Sequence, residues 1–225
     1  LRINEIFYSI QGEGIFAGIP TFFVRLQGCN LKPFCKWCDT SYAQDLGMGH
    51  SQDCNEVLRQ LFNLGLRRKD WVCITGGEPL LQHEPVGELV AKLSALGVKI
   101  EIETNGSLFL PGWRYLVDSW SVDVKCPSSG VCGASRIDLL PLISRPSDQI
   151  KFVVADQQDL DFASEILEKV RDIQATKLVS PVILNADHYQ NEVSWMREVV
   201  EFCKTHHVRF SLQLHKVLYG SRVGV

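Results

Sequence analysis

No stretch of this 225-residue chain approaches the ~20 consecutive apolar residues that a membrane span requires, although 45% of its residues are hydrophobic. Internal repeats, low-complexity segments and long Ser/Gly/Pro linkers are absent, so one domain over residues 1–225 is expected. Such a length buries a sizeable core without staples. A large charge of either sign is lacking too: 23 basic residues face 26 acidic ones, for a net charge of −3. That balance gives no reason to expect duplex nucleic acid or an anionic membrane as partner. The first residues, Leu1-Arg2-Ile3-Asn4-Glu5, carry charge where an export signal is apolar, and a cytoplasmic location is expected. Gly12, Gly14 and Gly18 do not fit G-x-G-x-x-G and lack a strand–turn–helix context, which argues against a dinucleotide loop. What the chain does have in mild excess is cysteine, 8 residues. They are too sparse for a disulfide scaffold, and clustered cysteines in a chain without an export signal more often mean metal or catalysis.

Runs rich in Val, Ile and Phe predict strands at residues 21–26, 71–75, 98–103, 119–124, 149–154, 178–184 and 208–214. Helical spacing joins Val86, Leu89, Val90, Leu93 and Leu96, then Ala163, Ile166, Leu167 and Val170, then Val193, Met196, Val200 and Cys203. This βα alternation predicts parallel strands in a barrel or an open wound sheet. Eight βα units take ~250 residues, so an incomplete β/α barrel of TIM-like type is the expected architecture. Residues 125–147 have little periodicity and hold Pro127, Pro141 and Pro146, which predicts a long irregular connection. Cys29, Gly76-Gly77-Glu78, Glu103-Thr104-Asn105, Asp123-Lys125 and Gln213-His215 all fall at or just past C-terminal ends of predicted strands. Ligands bind at that edge in α/β sheets, so these groups predict one site.

Cys29, Cys35 and Cys38 lie within ten residues on a loop after a strand. Thiolates suit zinc, copper(I) or iron–sulfur clusters. Structural zinc wants four protein ligands, and neither Cys54 nor His50 has finger-like spacing to supply the fourth. A cubane iron–sulfur cluster on three cysteines leaves one iron open for a substrate or cofactor. Three local cysteines therefore favour a catalytic cluster, with a zinc site and a small buried cysteine group as the alternatives. Cys73 in a strand and Cys203 on an apolar helix face read as core; Cys54, Cys126 and Cys132 stay unassigned.

Thr75-Gly76-Gly77-Glu78-Pro79 follows a strand; its paired glycines allow close backbone approach to a ligand, and Glu78 sets a carboxylate there that suits an ammonium group. Taken singly, the remaining groups have plain readings. Arg25 is a rim ion-pair partner, His215 a satisfied histidine, and Asp123 with Lys125 an exposed pair worth well under ~1 kcal/mol. The 103–106 segment reads equally as an Asn-Gly turn, and Arg67-Arg68-Lys69 as a solvated helix end.

Together these residues carry a resemblance. Phe23 through Leu31, with Cys35 and Trp37-Cys38-Asp39-Thr40, resembles the cluster loop of the radical S-adenosylmethionine superfamily, whose usual C-x3-C-x2-C appears here as C-x5-C-x2-C, with Pro33 and Phe34 as the insert. Gly76-Gly77-Glu78-Pro79 resembles that superfamily's GGEP motif. With Gln11-Gly12-Glu13, Arg25 and the Ser211-Leu212-Gln213-Leu214-His215 segment, the chain closely resembles the 7-carboxy-7-deazaguanine synthase family from Gln11 to His215. The resemblance implies a lyase that converts 6-carboxy-5,6,7,8-tetrahydropterin to 7-carboxy-7-deazaguanine with loss of ammonia, in queuosine-type 7-deazapurine synthesis. It implies a 4Fe-4S cluster on Cys29, Cys35 and Cys38, and S-adenosyl-L-methionine beside Trp37, Gly77, Glu78, Asp123, Lys125 and Ser180. Magnesium is implied at Thr40, and substrate at Gln11, Gly12, Glu13, Arg25, Thr75 and His215. A Glu/Gln pair can read a pterin's donor–acceptor edge, and a guanidinium suits its carboxylate. A flavodoxin- or ferredoxin-type electron donor and a homodimer are implied as partners. The alternatives are another radical enzyme, such as a glycyl-radical activating enzyme, and a non-catalytic zinc or iron–sulfur module.

Overall fold

A computed structural model describes residues 1–184 and 192–224. Its centre is a nine-stranded sheet in the order β3-β1-β2-β4-β5-β6-β7-β8-β9. The strands are β1 (Arg2–Ile10), β2 (Pro20–Leu26), β3 (His50–Ser51), β4 (Trp71–Gly76), β5 (Lys99–Thr104), β6 (Ser119–Lys125), β7 (Gln149–Val154), β8 (Thr176–Pro181) and β9 (Arg209–Phe210). β1 runs antiparallel to β2 and β3, whereas every pair from β2–β4 to β8–β9 is parallel. The end strands β3 and β9 do not pair with each other, so the expected incomplete barrel is an open one.

The helices are α1 (Cys54–Asn63), α2 (His83–Ala95), α3 (Gln157–Lys169), α4 (Val193–His206) and α5 (Leu214–Tyr219). Alternation along the parallel strands explains both the core and the site. Ile100 and Ile102, then Trp120, Val122 and Val124, then Ile150, Phe152 and Val154 join the hydrophobic core with Leu89 and Leu93 of α2 and Ile166 and Leu167 of α3. Their strand neighbours Glu101, Ser121, Gln149 and Lys151 are also buried but polar. Side chains of a strand alternate between faces, so one face of each strand packs on helices and the other builds a polar interior.

Three predicted helices and all seven predicted strands are present. β1 and α1 were not anticipated. Only Ile3 of β1 is buried, so this strand lacks a clean apolar rhythm. α1 starts on a capping box between Asp53 and Glu56 and buries Val57 and Leu61. The predicted 208–214 strand is shortened to Arg209–Phe210, and His215 sits on α5 rather than at a strand end. Residues 125–147 form short 3-10 turns, as their irregular sequence predicts.

Candidate active site

A cavity of about 700 Å³ opens at the C-terminal ends of the parallel strands. Its lining includes Cys29, Cys35 and Cys38 on one side and Gln11, Gly12, Glu13, Arg25, Thr75 and His215 on another. Trp37, Thr40, Gly77, Asp123 and Lys125 also line it. Residues from both ends of the sequence therefore share one cavity.

The cysteine loop is pinned at several points. Gly28 N–H donates to Ala43 O at 2.8 Å, Cys29 N–H to Gln44 O at 2.9 Å and Lys36 N–H to Ser129 O at 3.0 Å. Gln27, wholly buried, donates its amide to Tyr42 O at 3.0 Å and Asp45 O at 2.8 Å. Cys29, Cys35 and Cys38 are half-buried and reduced. Burial pushes the Cys29 and Cys35 thiols up, while the nearby Lys125 ammonium pulls both down. Asn105 Nδ2 lies 3.9 Å from Cys29 Sγ as a donor. Three thiols facing one cavity, beside a cation and an amide donor, fit anionic thiolates that ligate a cluster.

Trp37 is held from behind. Its indole N–H donates to Ser128 Oγ at 3.0 Å, and Ser128 in turn gives its N–H and O–H to the buried Asp159 of α3. Lys125 Nζ stands 5.9 Å above the Trp37 ring and 2.6 Å from Asp123 Oδ2.

The Gly-Gly pair serves backbone packing. Gly76 has φ +138, and a Cβ there would collide with the Leu26 backbone; one on Gly77 would collide with the Gly28 carbonyl. The two glycines thus let the end of β4 pass directly against the root of the cysteine loop. Glu78 is fully buried, and its carboxylate accepts from Leu80 N–H, Thr104 O–H and Asn105 N–H at 2.7–2.9 Å. These bonds clamp the loop ends after β4 and β5. Ser180 is buried on β8, its hydroxyl without a hydrogen-bond partner among the described residues, and it does not line the cavity.

Elsewhere in the lining, Arg25 donates through Nε to Glu5 Oε1 at 2.7 Å, and Tyr42 O–H reaches the same oxygen at 3.2 Å. Among the described residues the terminal guanidinium nitrogens have no hydrogen bond, and they belong to a side chain only 14% exposed. Gln11 Nε2 donates to Glu101 Oε2 at 2.7 Å and Glu103 Oε1 at 3.1 Å, and Thr75 O–H donates to Glu103 Oε2 at 2.8 Å. Burial and the neighbouring Glu103 push the Glu101 carboxyl up to about 8. Glu13 accepts from Gln213 at 2.9 Å and from Lys151 at 2.6 Å; burial raises its pKa, but the Lys151 ammonium wins and holds it down to about 2. His215 presses against Gly12, where any Cβ would collide with its ring. Ligand atoms of Glu13, Asp39 and His215 lie within 4.8 Å of one another.

Sequence reasoning passed over Glu5, Glu101, Gln149, Lys151, Ser128 and Asp159, all of which brace these groups. Cys73 is buried as expected, yet on the polar face: Gln11 Nε2 approaches its sulfur at 3.8 Å. Cys203 packs in the hydrophobic core as expected.

An open parallel barrel with three thiols at its C-terminal mouth defines a class, and residues 23–128 match the model of the Radical SAM superfamily. That superfamily implies a 4Fe-4S cluster and S-adenosylmethionine. The 7-carboxy-7-deazaguanine synthase of Methanospirillum hungatei is 38% identical over 218 residues, spanning 97% of this chain and 85% of that one. That of Koribacter versatilis is 43% identical over 168 residues, 73% of this chain and 70% of the relative. The crystal structure of QueE from Escherichia coli has the same fold, with a TM-score of 0.70 at 24% identity over 95% of this chain and 94% of that chain. The chain belongs to the 7-carboxy-7-deazaguanine synthase family.

Proposed function

We propose that this protein is a lyase that converts 6-carboxy-5,6,7,8-tetrahydropterin to 7-carboxy-7-deazaguanine with loss of ammonia, for 7-deazapurine synthesis of the queuosine type. The observation that carries the reading is the shared cavity: the three thiols line the same volume as Glu13, Arg25 and His215. An enzyme acting on a protein partner has no use for such a set.

Cys29, Cys35 and Cys38 would hold the 4Fe-4S cluster, and Trp37, Gly77, Asp123 and Lys125 would lie beside S-adenosylmethionine, with Glu78 and Ser180 set behind that lining. When bound, these groups supply one-electron cleavage of a sulfonium and abstraction of a substrate hydrogen atom; the protein supplies position and electrostatics. Arg25, steered by Glu5, turns its open nitrogens toward the substrate carboxylate. Glu13, kept ionised by Lys151, accepts from the pterin's amino edge. Gln11 holds the floor through Glu101 and Glu103, and Gly12 admits His215 against the ring. Glu78 shapes the Gly76-Gly77 turn. Thr40 would supply an oxygen to magnesium, a hard cation that needs few protein ligands. Residues 1–225 act as one domain, in the cytoplasm, as a homodimer that takes electrons from a flavodoxin or ferredoxin; among the described residues no helix is long and apolar enough to cross a membrane.

The test is anaerobic reconstitution with iron and sulfide, then incubation with S-adenosylmethionine, reductant, magnesium and the carboxytetrahydropterin. The expected result is a brown protein absorbing near roughly 400 nm and a deazaguanine product identified by mass. Deoxyadenosine without that product overturns the substrate assignment.

A further inference from the structure

The polar interior holds one cation that no motif predicts. Lys151 stands on β7, 7% exposed, in register with Asp123 of β6. Its ammonium lies 2.6 Å from Glu13 Oε2 and 3.2 Å from Asp123 Oδ1. The other Asp123 oxygen takes Lys125 at 2.6 Å, and Lys125 sits over the Trp37 ring. Contact by contact, the charges alternate: Glu13 negative, Lys151 positive, Asp123 negative, Lys125 positive. One end of this chain is the N-terminal turn, and the other is the wall of the cysteine loop. A buried ammonium is tolerated only while its counter-charges stay in contact. Lys151 has two, on different elements, and therefore fixes the N-terminal turn and β6 relative to one another.

We propose that Lys151 is a positioning residue that ties the wall reading the pterin to the wall holding S-adenosylmethionine, so that its loss is felt by both small molecules. This rests on the substrate reading above. Loss of the ammonium removes a charge-assisted hydrogen bond from Glu13 and the ion pair with Asp123, interactions whose usual size corresponds to a weakening of about tenfold or more for each ligand.

Equilibrium binding of the carboxytetrahydropterin and of S-adenosylmethionine, each alone, to the anaerobically reconstituted protein tests the tie. Wild type is compared with Lys151→Met and Lys151→Arg, with iron content measured for each and KM and kcat determined in parallel. Lys151→Met is expected to weaken both ligands about tenfold and to raise KM far more than it lowers kcat, while Lys151→Arg recovers most of the affinity. Binding of both ligands within about twofold of wild type overturns the proposal, as does weakening of the pterin alone. Should Lys151→Met fail to fold or load iron, the double variant Glu13→Gln/Lys151→Met removes that buried pair together. Its S-adenosylmethionine affinity then decides: a tenfold loss supports the tie, and an unchanged value refutes it. If wild type itself binds no carboxytetrahydropterin, the substrate reading fails; if wild type binds it and the Lys151 variants match, only the role of Lys151 fails.

Discussion

Arg25→Lys separates charge from shape at the proposed carboxylate contact. In the wild type, Glu5 holds Nε at 2.7 Å and so aims the guanidinium plane, leaving both terminal nitrogens for a two-pronged contact. Lysine keeps the positive charge but has one nitrogen, which cannot hold Glu5 and also fork onto a carboxylate. Each charge-assisted hydrogen bond is worth roughly 1.5–3 kcal/mol. Losing one prong therefore raises KM for the carboxytetrahydropterin by about ten- to a hundredfold. The carboxylate keeps its charge from ground state to transition state, so the contact is made equally in both and its loss falls on KM; kcat should stay within about threefold, and S-adenosylmethionine affinity should not move. Initial rates against pterin concentration at saturating S-adenosylmethionine give the split. A tetrahydropterin without the carboxyl group supplies the control: as a competing ligand it should bind wild type and R25K equally. Unchanged KM with a collapsed kcat, or tighter binding of that analogue to wild type than to R25K, would refute a carboxylate contact at Arg25.

Gly77→Ala drives a Cβ into the Gly28 carbonyl. Overpacking against backbone costs about 1–3 kcal/mol, seen as a lower Tm and reduced iron loading, whereas Gly133→Ala, with nothing within 4 Å, should leave both unchanged. Cys35→Ala should lose the cluster absorbance and most of the iron; Cys203→Ala should keep both, because its thiol lies in the core. The Glu101/Glu103 pair gives a pH signature. Glu101 has its folded pKa raised from 4.5 to about 8, so the folded state keeps a proton that the unfolded chain has released. Stability must therefore fall as pH rises between those values, by at most about 1.4 kcal/mol per pH unit for one proton. Denaturant midpoints at pH 6 and pH 8 should show this fall in the wild type and a flatter response in Glu101→Gln.

The parallel strands were legible because both their faces are buried, which writes dense Val/Ile/Phe runs such as Gln149–Val154 into the sequence. β1 escaped because it lies outside the parallel set and buries only Ile3. The signal for α1 was present and passed over: Asp53 with Glu56 three residues on, then Val57 and Leu61 one turn apart. The tail of the chain misled for another reason. The apolar alternation at 208–214 continues past β9, but the last bond to β8 is from Ser211 N–H to Val179 O; the Ser211 and Gln213 side chains hold Gly14 and Glu13, and Leu214 already opens a helix. Alternation there records contacts with the N-terminal turn and not strand pairing.

Within the site, the motifs marked residues most of which line the cavity, whereas the groups that brace them carry no motif. Glu5 and Ser128 each hold Arg25 or Trp37 by one hydrogen bond, and Asp159 takes two from Ser128; all come from distant elements, and no spacing along the chain encodes such an approach. The interior row is different. Glu101 and Glu103, Ser121, Asp123 and Lys125, Gln149 and Lys151 recur at period two on strands whose alternate residues are Ile, Trp, Val and Phe. A barrel of this kind normally fills its centre with branched apolar side chains. Charges at every second position of central strands therefore mark a strand set built around a cavity, since buried carboxylates and ammonium groups are stable only when they pair. By this rule Lys151 belongs to the site on the sequence alone: its neighbours Ile150 and Phe152 face the helices, so its own side chain has nowhere to go but inward, to the carboxylates already there.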